Sequence, residues 1–421
     1  MEISKIYEIF SQYPTVTTDS RKCPENSIFF ALKGDNFNGN KFAQSAIEQG
    51  CAYAFVDEKE YADGDRILLV DDCLATLQKL AEYHRLQLGT KIIGVTGSNG
   101  KTTTKELLAA VLGKKFNLLY TQGNLNNHIG VPLTLLSLRK EHELAIVEMG
   151  ASHPGDIEEL VNIAHPNFGL ITNIGTAHIL GFGSFEGVVK TKCELYDYLK
   201  ANGGKVFYNQ MNPLLEEKSK GLDRIAYGAG SDFSAELIGS DPFLSISWKG
   251  SRIDTHLIGA YNFENVLAGI AIGSFFGVDA RDIIDAIAGY SPTNSRSQFV
   301  KSERNELIID AYNANPTSMT AALENFSKMR SSRKVVILGD MKELGHVSET
   351  EHQRIADMVV SMGLDKAFLI GPNFKLTRSD AFKFDTVDEL NEFLKKNPIT
   401  DSTVLVKGSN SMKLTACVEN L

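Results

Sequence analysis

The chain has 421 residues, a length that accommodates roughly two to three domains of ordinary size. It carries 43 basic and 52 acidic residues, and the formal charge of −9 argues against a general binder of nucleic acid or of anionic membranes. Its 5 cysteines are scattered without a Cys-x-x-Cys pair, which argues against a disulfide framework and against a zinc site. Any anionic substrate must therefore be held by local groups.

The sequence also lacks an apolar run of membrane-spanning length, and its first residues show no secretion signal. We therefore expect a cytoplasmic protein without stable membrane insertion.

Residues 1–88 alternate short apolar runs with helical patterns, which predicts a small α/β domain. Two of its probable loops contain Ser20, Arg21 and Lys33, whose hydroxyl and cationic groups could hold an anionic ligand such as a diphosphate. Ordinary turn chemistry is the safer interpretation of these loops. The expected strands are residues 27–32 and 52–56, and the expected helices are residues 42–49 and 74–88.

The strongest motif follows an apolar run that ends at Thr96. Gly97 and Gly100 punctuate the next residues, and helix formers continue through Leu112, so the pattern predicts a strand, a tight loop and a helix. The backbone N–H groups and helix dipole at such a loop bind phosphate, with Lys101 on the outer phosphates and the next hydroxyl on magnesium. The motif is a shortened G-x-x-G-K-T form, and we favour nucleotide binding over a purely structural turn.

Polar residues follow the next apolar strands. Residues 144–147 lead into Glu148, which is placed to hold Mg²⁺, although a helix cap is the alternative. Residues 169–173 are followed by His178, again beyond a strand's carboxyl end, where open α/β sheets bind ligands. A single histidine is more often structural, but this one converges with Glu148 and the lysine of the loop.

Three further segments of the central region contain polar residues with different predicted roles. The glycine-punctuated segment 123–132 is too long for an ordinary connection and is predicted to carry function. Asp156 is interpreted as the cap of an amphipathic helix. In the helical run 188–196, Lys190 and Lys192 are interpreted, from the residues alone, as a solvated face.

A turn-rich link at residues 291–294 separates a third α/β unit. Its strands are expected at residues 307–310, 334–338, 367–370 and 404–406, and all end in polar or glycine residues, which suggests a second ligand-facing rim. The predicted fold class is α/β with three domains: residues 1–88, a central doubly wound P-loop domain at 89–294, and a C-terminal Rossmann-like domain at 295–421.

Taken together, these motifs resemble the Mur ligase family, the ATP-dependent amide-forming enzymes of bacterial cell-wall precursor synthesis. The resemblance covers essentially the whole chain. It is carried by residues 97–103, Glu148, Thr172 and Asn173 with His178, residues 261–265, Arg296 and residues 310–313.

The resemblance implies a site. The first domain would hold the uridine diphosphate end of a sugar-peptide, Asn262 and Asn265 would lie by the adenine of ATP, and Arg296 and Asp310 would close from the third domain's side. The implied ATP-binding residues are Gly97, Ser98, Asn99, Gly100, Lys101, Thr102, Thr103, Asn262, Asn265, Arg296 and Asp310. The implied magnesium ligands are Thr102, Glu148, His178 and Lys192; the implied catalytic residues are Lys101, Lys192 and His178; and the implied substrate-binding residues are Ser20, Arg21, Lys33, Asn126 and Asn127.

Lys192 falls where many family members carry a carbamylated lysine that holds a second magnesium ion. The sequence departs from the family at two positions: Ser295 stands where a glycine usually precedes the arginine, and Asn410 stands where the members that add D-alanyl-D-alanine often have arginine.

Within the family, residues 124–132, 338–345 and 406–409 are similar to ligases that join D-alanyl-D-alanine (D-Ala-D-Ala) to UDP-N-acetylmuramoyl-tripeptide (UDP-MurNAc-tripeptide) through an acyl phosphate. The implied partners are these small molecules, with no nucleic acid, and a monomer is expected. The alternatives are a diaminopimelate- or lysine-adding ligase, a ligase acting on folate or poly-amino-acid chains, and a regulatory nucleotide switch.

Overall fold

The computed structural model describes residues 1–421, and each of its larger sheets is built from one continuous part of the chain. The first sheet uses strands from residues 16–69, the central sheet from 91–227 and the last from 298–407. This is the α/β architecture that the sequence predicts. No helix is both long and apolar enough to cross a membrane.

The first unit is a parallel four-stranded sheet in the order β1-β2-β5-β6, with a separate two-stranded hairpin, β3-β4. The strands are β1 Val16–Thr17, β2 Ile28–Phe30, β3 Lys33–Gly34, β4 Phe37–Asn38, β5 Tyr53–Val56 and β6 Ile67–Leu69, and the helices are α1 Ile3–Gln12, α2 Ala43–Glu48 and α3 Cys73–Leu88.

The central unit has a parallel six-stranded sheet in the order β12-β11-β10-β7-β9-β8, followed by an antiparallel sheet of β13, β14 and β15. Its strands are β7 Lys91–Thr96, β8 Leu118–Tyr120, β9 Leu144–Glu148, β10 Phe168–Ile171, β11 Lys205–Asn209, β12 Asp223–Tyr227, β13 Glu236–Ser240, β14 Phe243–Trp248 and β15 Ser251–Ile258. Its helices are α4 Lys101–Leu112, α5 Gly130–Leu136, α6 Asp156–Ala164, α7 Ile179–Phe182, α8 Phe185–Ala201, α9 Pro213–Lys218, α10 Phe263–Phe275 and α11 Ala280–Gly289.

The third unit has a six-stranded sheet in the order β16-β17-β21-β18-β19-β20, in which only β16 runs antiparallel to its neighbour. Its strands are β16 Gln298–Lys301, β17 Asn305–Asp310, β18 Lys334–Gly339, β19 Lys366–Ile370, β20 Phe382–Phe384 and β21 Ser402–Lys407, and its helices are α12 Pro316–Lys328, α13 Ser348–Ser361, α14 Pro372–Lys375 and α15 Val387–Lys396. Single turns of 3₁₀ helix lie at Gly39–Phe42, Lys59–Tyr61, Ala260–Asn262, Gly345–Val347 and Asn410–Met412, and a longer one at Leu414–Asn420.

The strand order of the central sheet determines where a ligand can bind. After β7 the chain builds β8 and β9 on one side and then returns to build β10 on the other side. The carboxyl ends of β7, β9 and β10 therefore meet at a change of direction, where neighbouring loops diverge and leave a crevice.

The hydrophobic cores do not follow the predicted domain boundaries in one respect. A single cluster of buried residues runs from Ile6 in the first unit to Leu215 in the central unit, whereas two separate clusters serve the third unit. The first unit therefore packs directly on the central one. The division of the chain into residues 1–88, 89–294 and 295–421 stays a prediction.

Candidate active site

A cavity of about 890 Å³ lies between the carboxyl ends of the central and third sheets. The central unit contributes the loop between β7 and α4 and the end of β9, and the third unit contributes Asp310 at the end of β17 and Lys407 at the end of β21. The two polar rims that the sequence predicts thus face the same space.

Two glycines shape the loop between β7 and α4. Gly97 has φ +144°, and a side chain there would overlap Thr172 Oγ1. Gly100 has φ +78°, and a Cβ atom there would lie 2.7 Å from Asn265 Oδ1. Both positions therefore require glycine for backbone conformation and for space.

Lys101 begins α4 and bends back over this loop. Its Nζ donates to Gly97 O at 2.6 Å and to Ser98 O at 3.2 Å. Burial lowers the pKa of Lys101 to about 8, against the attraction of Glu148 and with a contribution from Arg296. The ammonium is held at the loop but is weakly stabilised as a cation, so an anion placed there would gain strongly from it.

Glu148 ends β9 and is fully buried. Its carboxylate accepts hydrogen bonds from Thr102 Oγ1 at 3.1 and 3.0 Å and from Asn126 Nδ2 at 2.8 Å. These donors are neutral, and buried charges are normally paired or bound to metal. A carboxylate beside a hydroxyl supplies the hard oxygen ligands that magnesium prefers, so the donor set fits Mg²⁺.

The protein alone does not complete a metal site here, because no group of three or more His, Cys, Asp or Glu side chains is arranged to hold an ion. Further oxygen ligands would have to come from a substrate or from water, which is common for magnesium at phosphate sites.

Asn126 and Asn127 line the cavity on the segment predicted to be functional. Besides its bond to Glu148, Asn126 accepts the Gly150 N–H at 2.7 Å through its backbone carbonyl. Asn127 Oδ1 accepts the N–H groups of Ile129 and Gly130 at the start of α5. The segment is thus fixed by its own polar side chains.

His178 also lines the cavity but contacts the third unit. Its Nδ1 lies against the carboxylate of Glu343, and the residue adopts φ +55°. Burial lowers the pKa of His178, Lys101 and Lys192 act in the same direction, and Glu343 opposes them. The imidazole is therefore favoured in its neutral form.

Lys192 is buried on α8, so the interpretation of this lysine as part of a solvated face is wrong; Lys190, two residues earlier, is exposed. Lys192 Nζ lies 3.5 Å from Ala151 O and 5.4 Å from the centre of the Phe182 ring. Burial, with Lys101 as a smaller contribution, lowers its pKa well below the usual value, against Asp156 and Glu194.

Asp156 does not cap α6 with its side chain; Gly155 is the cap residue. Its Oδ2 accepts the backbone N–H groups of Ser152 at 2.7 Å and His153 at 2.8 Å. The carboxylate is used to fold the loop before the helix, because those N–H groups lie outside any regular element.

Asn262 and Asn265 are buried beside the phosphate-loop helix. Thr104 Oγ1 donates to Asn265 Oδ1 at 3.1 Å, Asn265 Nδ2 donates to Asn262 Oδ1 at 2.8 Å, and Asn262 Nδ2 donates to Ile258 O at 2.8 Å. Both asparagines line the cavity, and Asn265 occupies the space that a side chain at Gly100 would need.

The third unit contributes charged groups that are already ordered. The Arg296 guanidinium lies 3.8 Å from the centre of the Tyr312 ring, and Lys407 Nζ donates to Asp310 Oδ2 at 2.6 Å. The sequence placed Lys407 at a strand end of the expected ligand-facing rim but did not predict it as a site residue.

The two rims also touch directly. Asn315 Nδ2 donates to Asn99 Oδ1 of the phosphate loop at 2.8 Å, and Thr176 Oγ1 lies 3.0 Å from Thr317 Oγ1. Asn315 was missed as a site residue, although Asn315-Pro316 is a recognisable helix start. Its contact with Asn99 has no local signal in the sequence.

Ser20, Arg21 and Lys33 are not among the residues that line the cavity. Arg21 pairs with Asp19, and Lys33 Nζ lies 3.0 Å from Asp57 and 3.7 Å from Glu58. A ligand there would occupy a different part of the surface and would exchange these ion pairs for its own.

Comparisons with known proteins cover nearly the whole chain. Profiles described as the Mur ligase family catalytic domain, the Mur ligase middle domain and the Mur ligase glutamate ligase domain match residues 12–85, 95–273 and 295–410. The UDP-N-acetylmuramoyl-tripeptide–D-alanyl-D-alanine ligase of Bacillus subtilis (strain 168) is 35% identical over 424 residues, covering 96% of this chain and 92% of that protein. The chain belongs to the Mur ligase family.

Solved Mur ligases share the fold. MurF of Acinetobacter baumannii superposes with a TM-score of 0.87 at 32% identity, covering 97% of this chain and 93% of that one. The MurF ligase of Thermotoga maritima, solved in complex with ADP, gives a TM-score of 0.83 at 27% identity and covers 97% of both chains. The predicted family and three-domain α/β fold are confirmed.

The close packing of Gly97 yields a prediction about stability. Gly97→Ala places a methyl group against Thr172 at a backbone angle that side chains rarely adopt, so we expect a loss of about 1–3 kcal/mol in the free energy of unfolding. Urea denaturation measures it. The control is Gly289→Ala, which has nothing within 4 Å of the added carbon. Equal unfolding midpoints for the two variants would contradict the expected crowding.

Proposed function

We propose that this Mur ligase joins D-alanyl-D-alanine to UDP-N-acetylmuramoyl-tripeptide, with conversion of ATP to ADP and phosphate, to give the UDP-linked pentapeptide. One observation carries the proposal: a phosphate loop and a buried carboxylate face the cationic rim of the third unit, in a chain that aligns over 96% of its length with a ligase of that name.

The chemistry requires an activated carboxylate. An amine does not displace oxygen from a carboxylate at neutral pH, so the γ-phosphoryl group of ATP is first transferred to the terminal carboxylate of the tripeptide. The amine of D-Ala-D-Ala then attacks the acyl phosphate carbonyl, the new C–N bond forms, and phosphate leaves with the C–O bond electrons. The attacking nitrogen loses its proton to a base or to water.

Residues of the central unit are arranged to stabilise the transferring phosphoryl group. The N-terminus of α4 lies at the cavity, which Gly100 and Lys101 line, and Lys101 needs only to exchange the Gly97 and Ser98 carbonyls for phosphate oxygens. Groups held in place before the reaction need little reorganisation during it.

Thr102 and Glu148 would hold one magnesium ion, and His178 with a carbamylated Lys192 would serve a second. Magnesium, when bound, neutralises charge that develops on the phosphate oxygens. Asn262 and Asn265 would lie by the adenine, and Arg296 and Asp310 would contact the nucleotide from the third unit.

Water must be excluded while the acyl phosphate exists, because such compounds hydrolyse readily. The contacts of Asn99 with Asn315 and of Thr176 with Thr317 join the two rims beside the phosphate loop. We assign them to the closed side of the cavity.

The proposal also covers the acceptor-binding residues, the domain boundaries, and the location and oligomeric state of the protein. Ser20, Arg21 and Lys33 would hold the uridine diphosphate on the first domain, and Asn126 and Asn127 would contact the peptide part of the acceptor. The domain boundaries proposed are 1–88, 89–294 and 295–421. The protein would act in the cytoplasm as a monomer.

The proposed substrates predict a strict requirement for all three reactants. Phosphate release should occur with ATP, UDP-MurNAc-tripeptide and D-Ala-D-Ala together, and mass spectrometry should detect the pentapeptide product. Omission of D-Ala-D-Ala or of the tripeptide should each reduce release to background. Efficient turnover with diaminopimelate or lysine on a dipeptide acceptor would assign the chain to the earlier ligation, and release with ATP alone would indicate a nucleotide switch.

The low pKa of Lys101 predicts a proton linkage. Phosphate stabilises the ammonium form and raises this pKa, so ADP binding well above pH 8 should take up a proton, whereas well below pH 8 Lys101 is already charged and uptake should be smaller. Calorimetry in buffers of different ionisation enthalpy measures it. In Lys101→Met the uptake above pH 8 should disappear; persistent uptake in this variant would remove Lys101 from the phosphate site.

The environment of Lys192 predicts a carbamate. Burial favours the neutral amine, which adds CO₂ to form N–COO⁻ with release of one proton, and the product is an anion with two oxygen ligands. ¹³C-labelled CO₂ should give a carbamate NMR signal in the wild type and in Lys190→Ala, but not in Lys192→Ala, which should also lose nearly all activity. A wild-type enzyme that is fully active after removal of CO₂ and bicarbonate would refute it.

A further inference from the structure

Lys105 is a fully buried lysine on α4 that the proposed chemistry does not use. It lies one helical turn beyond Thr102, so the two side chains leave the same face of the helix. Its Nζ donates to Thr121 O and to Glu106 Oε1, both at 2.7 Å, and lies 5.5 Å from the centre of the Tyr120 ring. A buried ammonium is costly unless it is bonded in this way.

The acceptor Thr121 lies where the chain leaves the central sheet. The β8 strand pairs with β9 as far as Tyr120, and Thr121 N still donates to Ile146 O at 3.0 Å. The next residues form the loop that carries Asn126. Because β8 is at the edge of the sheet, the Thr121 carbonyl has no strand on its other side, and the lysine takes that position.

Thr121 also reaches Glu148. Its buried Oγ1 accepts the backbone N–H of Glu148 at 3.0 Å, while the Glu148 carboxylate accepts from Thr102 on α4 and from Asn126 on the loop. These contacts connect α4, Thr121 and Glu148 to one another. Lys105 of α4 donates to the Thr121 carbonyl, and Thr121 Oγ1 accepts the N–H of Glu148. The Glu148 carboxylate in turn accepts hydrogen bonds from Thr102 of α4 and from Asn126, on the loop that begins at Thr121.

We infer that Lys105 is a positioning residue, which ties the start of the Asn126 loop to the phosphate-loop helix and so fixes the carboxylate of Glu148 in its orientation for a divalent cation. The inference rests on the proposed function only for the identity of the cation. Groups that orient a metal ligand without touching the metal commonly change metal affinity about tenfold or more when they are removed.

The experiment compares Lys105→Met with Lys115→Met. Methionine keeps the length of the buried stem and removes the donor. Lys115 is an exposed control lysine whose Nζ, like that of Lys105, donates to main-chain carbonyls. These are Phe276 O at 3.0 Å and Gly277 O at 2.8 Å, which lie on the segment after α10 and do not lead to Glu148.

Two measurements are made on each variant. The first is calorimetric titration of ADP at a series of Mg²⁺ concentrations and in EDTA. Lys105→Met should raise the Mg²⁺ concentration for half-maximal ADP affinity by about tenfold or more, with binding in EDTA unchanged. The second is hydrogen–deuterium exchange of the nucleotide-free protein, in which uptake should rise in residues 121–130 and not in the third unit. Lys115→Met should change neither.

A double-mutant cycle separates positioning from general destabilisation. If Lys105 acts through the Asn126 loop, the effect of Lys105→Met on the Mg²⁺ dependence should largely vanish in an Asn126→Ala background. Additive effects, or a lowered Tm with unchanged Mg²⁺ dependence, would overturn the inference. If Lys105→Met fails to fold, Thr121→Val decides, since it removes the acceptor of the Glu148 N–H: a similar rise supports the inference and no rise refutes it.

The outcomes also distinguish this inference from the proposed function. A wild-type protein without Mg²⁺-dependent ADP binding would overturn both, whereas normal wild-type binding with an unaffected Lys105→Met variant would overturn the inference alone.

Discussion

The site depends on one constraint: the carboxylate of Glu148 is buried and has no cationic hydrogen-bond partner. Glu148 is fully inside the protein, and its own backbone N–H donates to Thr121 Oγ1. Its carboxylate accepts hydrogen bonds from two neutral donors, Thr102 and Asn126. Such a group is stable only if its orientation is fixed and a cation can approach from the cavity. Three features place the Glu148 carboxylate at the cavity: the glycines that fix the phosphate loop, the long Asn126 loop, and the change of direction in the strand order of the central sheet.

Basic groups near this carboxylate also affect one another. Lys101, His178 and Lys192 are close enough that each lysine lowers the pKa of the histidine, and Lys101 lowers that of Lys192. In Lys101 and Lys192 burial acts in the same direction, so the site disfavours positive charge until an anion arrives. Phosphate, or the proposed carbamate on Lys192, would relieve the repulsion among these groups.

The sequence could predict those parts of the site that are local. Gly97 to Thr103, Glu148 and Asp310 follow apolar runs, and parallel strands bring their carboxyl ends to one rim. The burial of Lys192 also had a signal, because Val188, Leu195 and Leu199 share its helical face and are buried with it. The contacts of His178 with Glu343 and of Asn99 with Asn315 had none, since they depend on how two separate units face each other.

The contacts between the three units differ in kind. The first unit shares a continuous apolar core with the central one, so parting them would expose a large hydrophobic surface. Only Ile258 and Phe243 of the central unit enter the cores of the third, and across the cavity the contacts are polar: two hydrogen bonds and the approach of His178 to the Glu343 carboxylate. Polar contacts of this kind exchange with water at little cost. The third unit therefore has a mainly polar boundary along the cavity, in contrast to the apolar boundary between the first and central units.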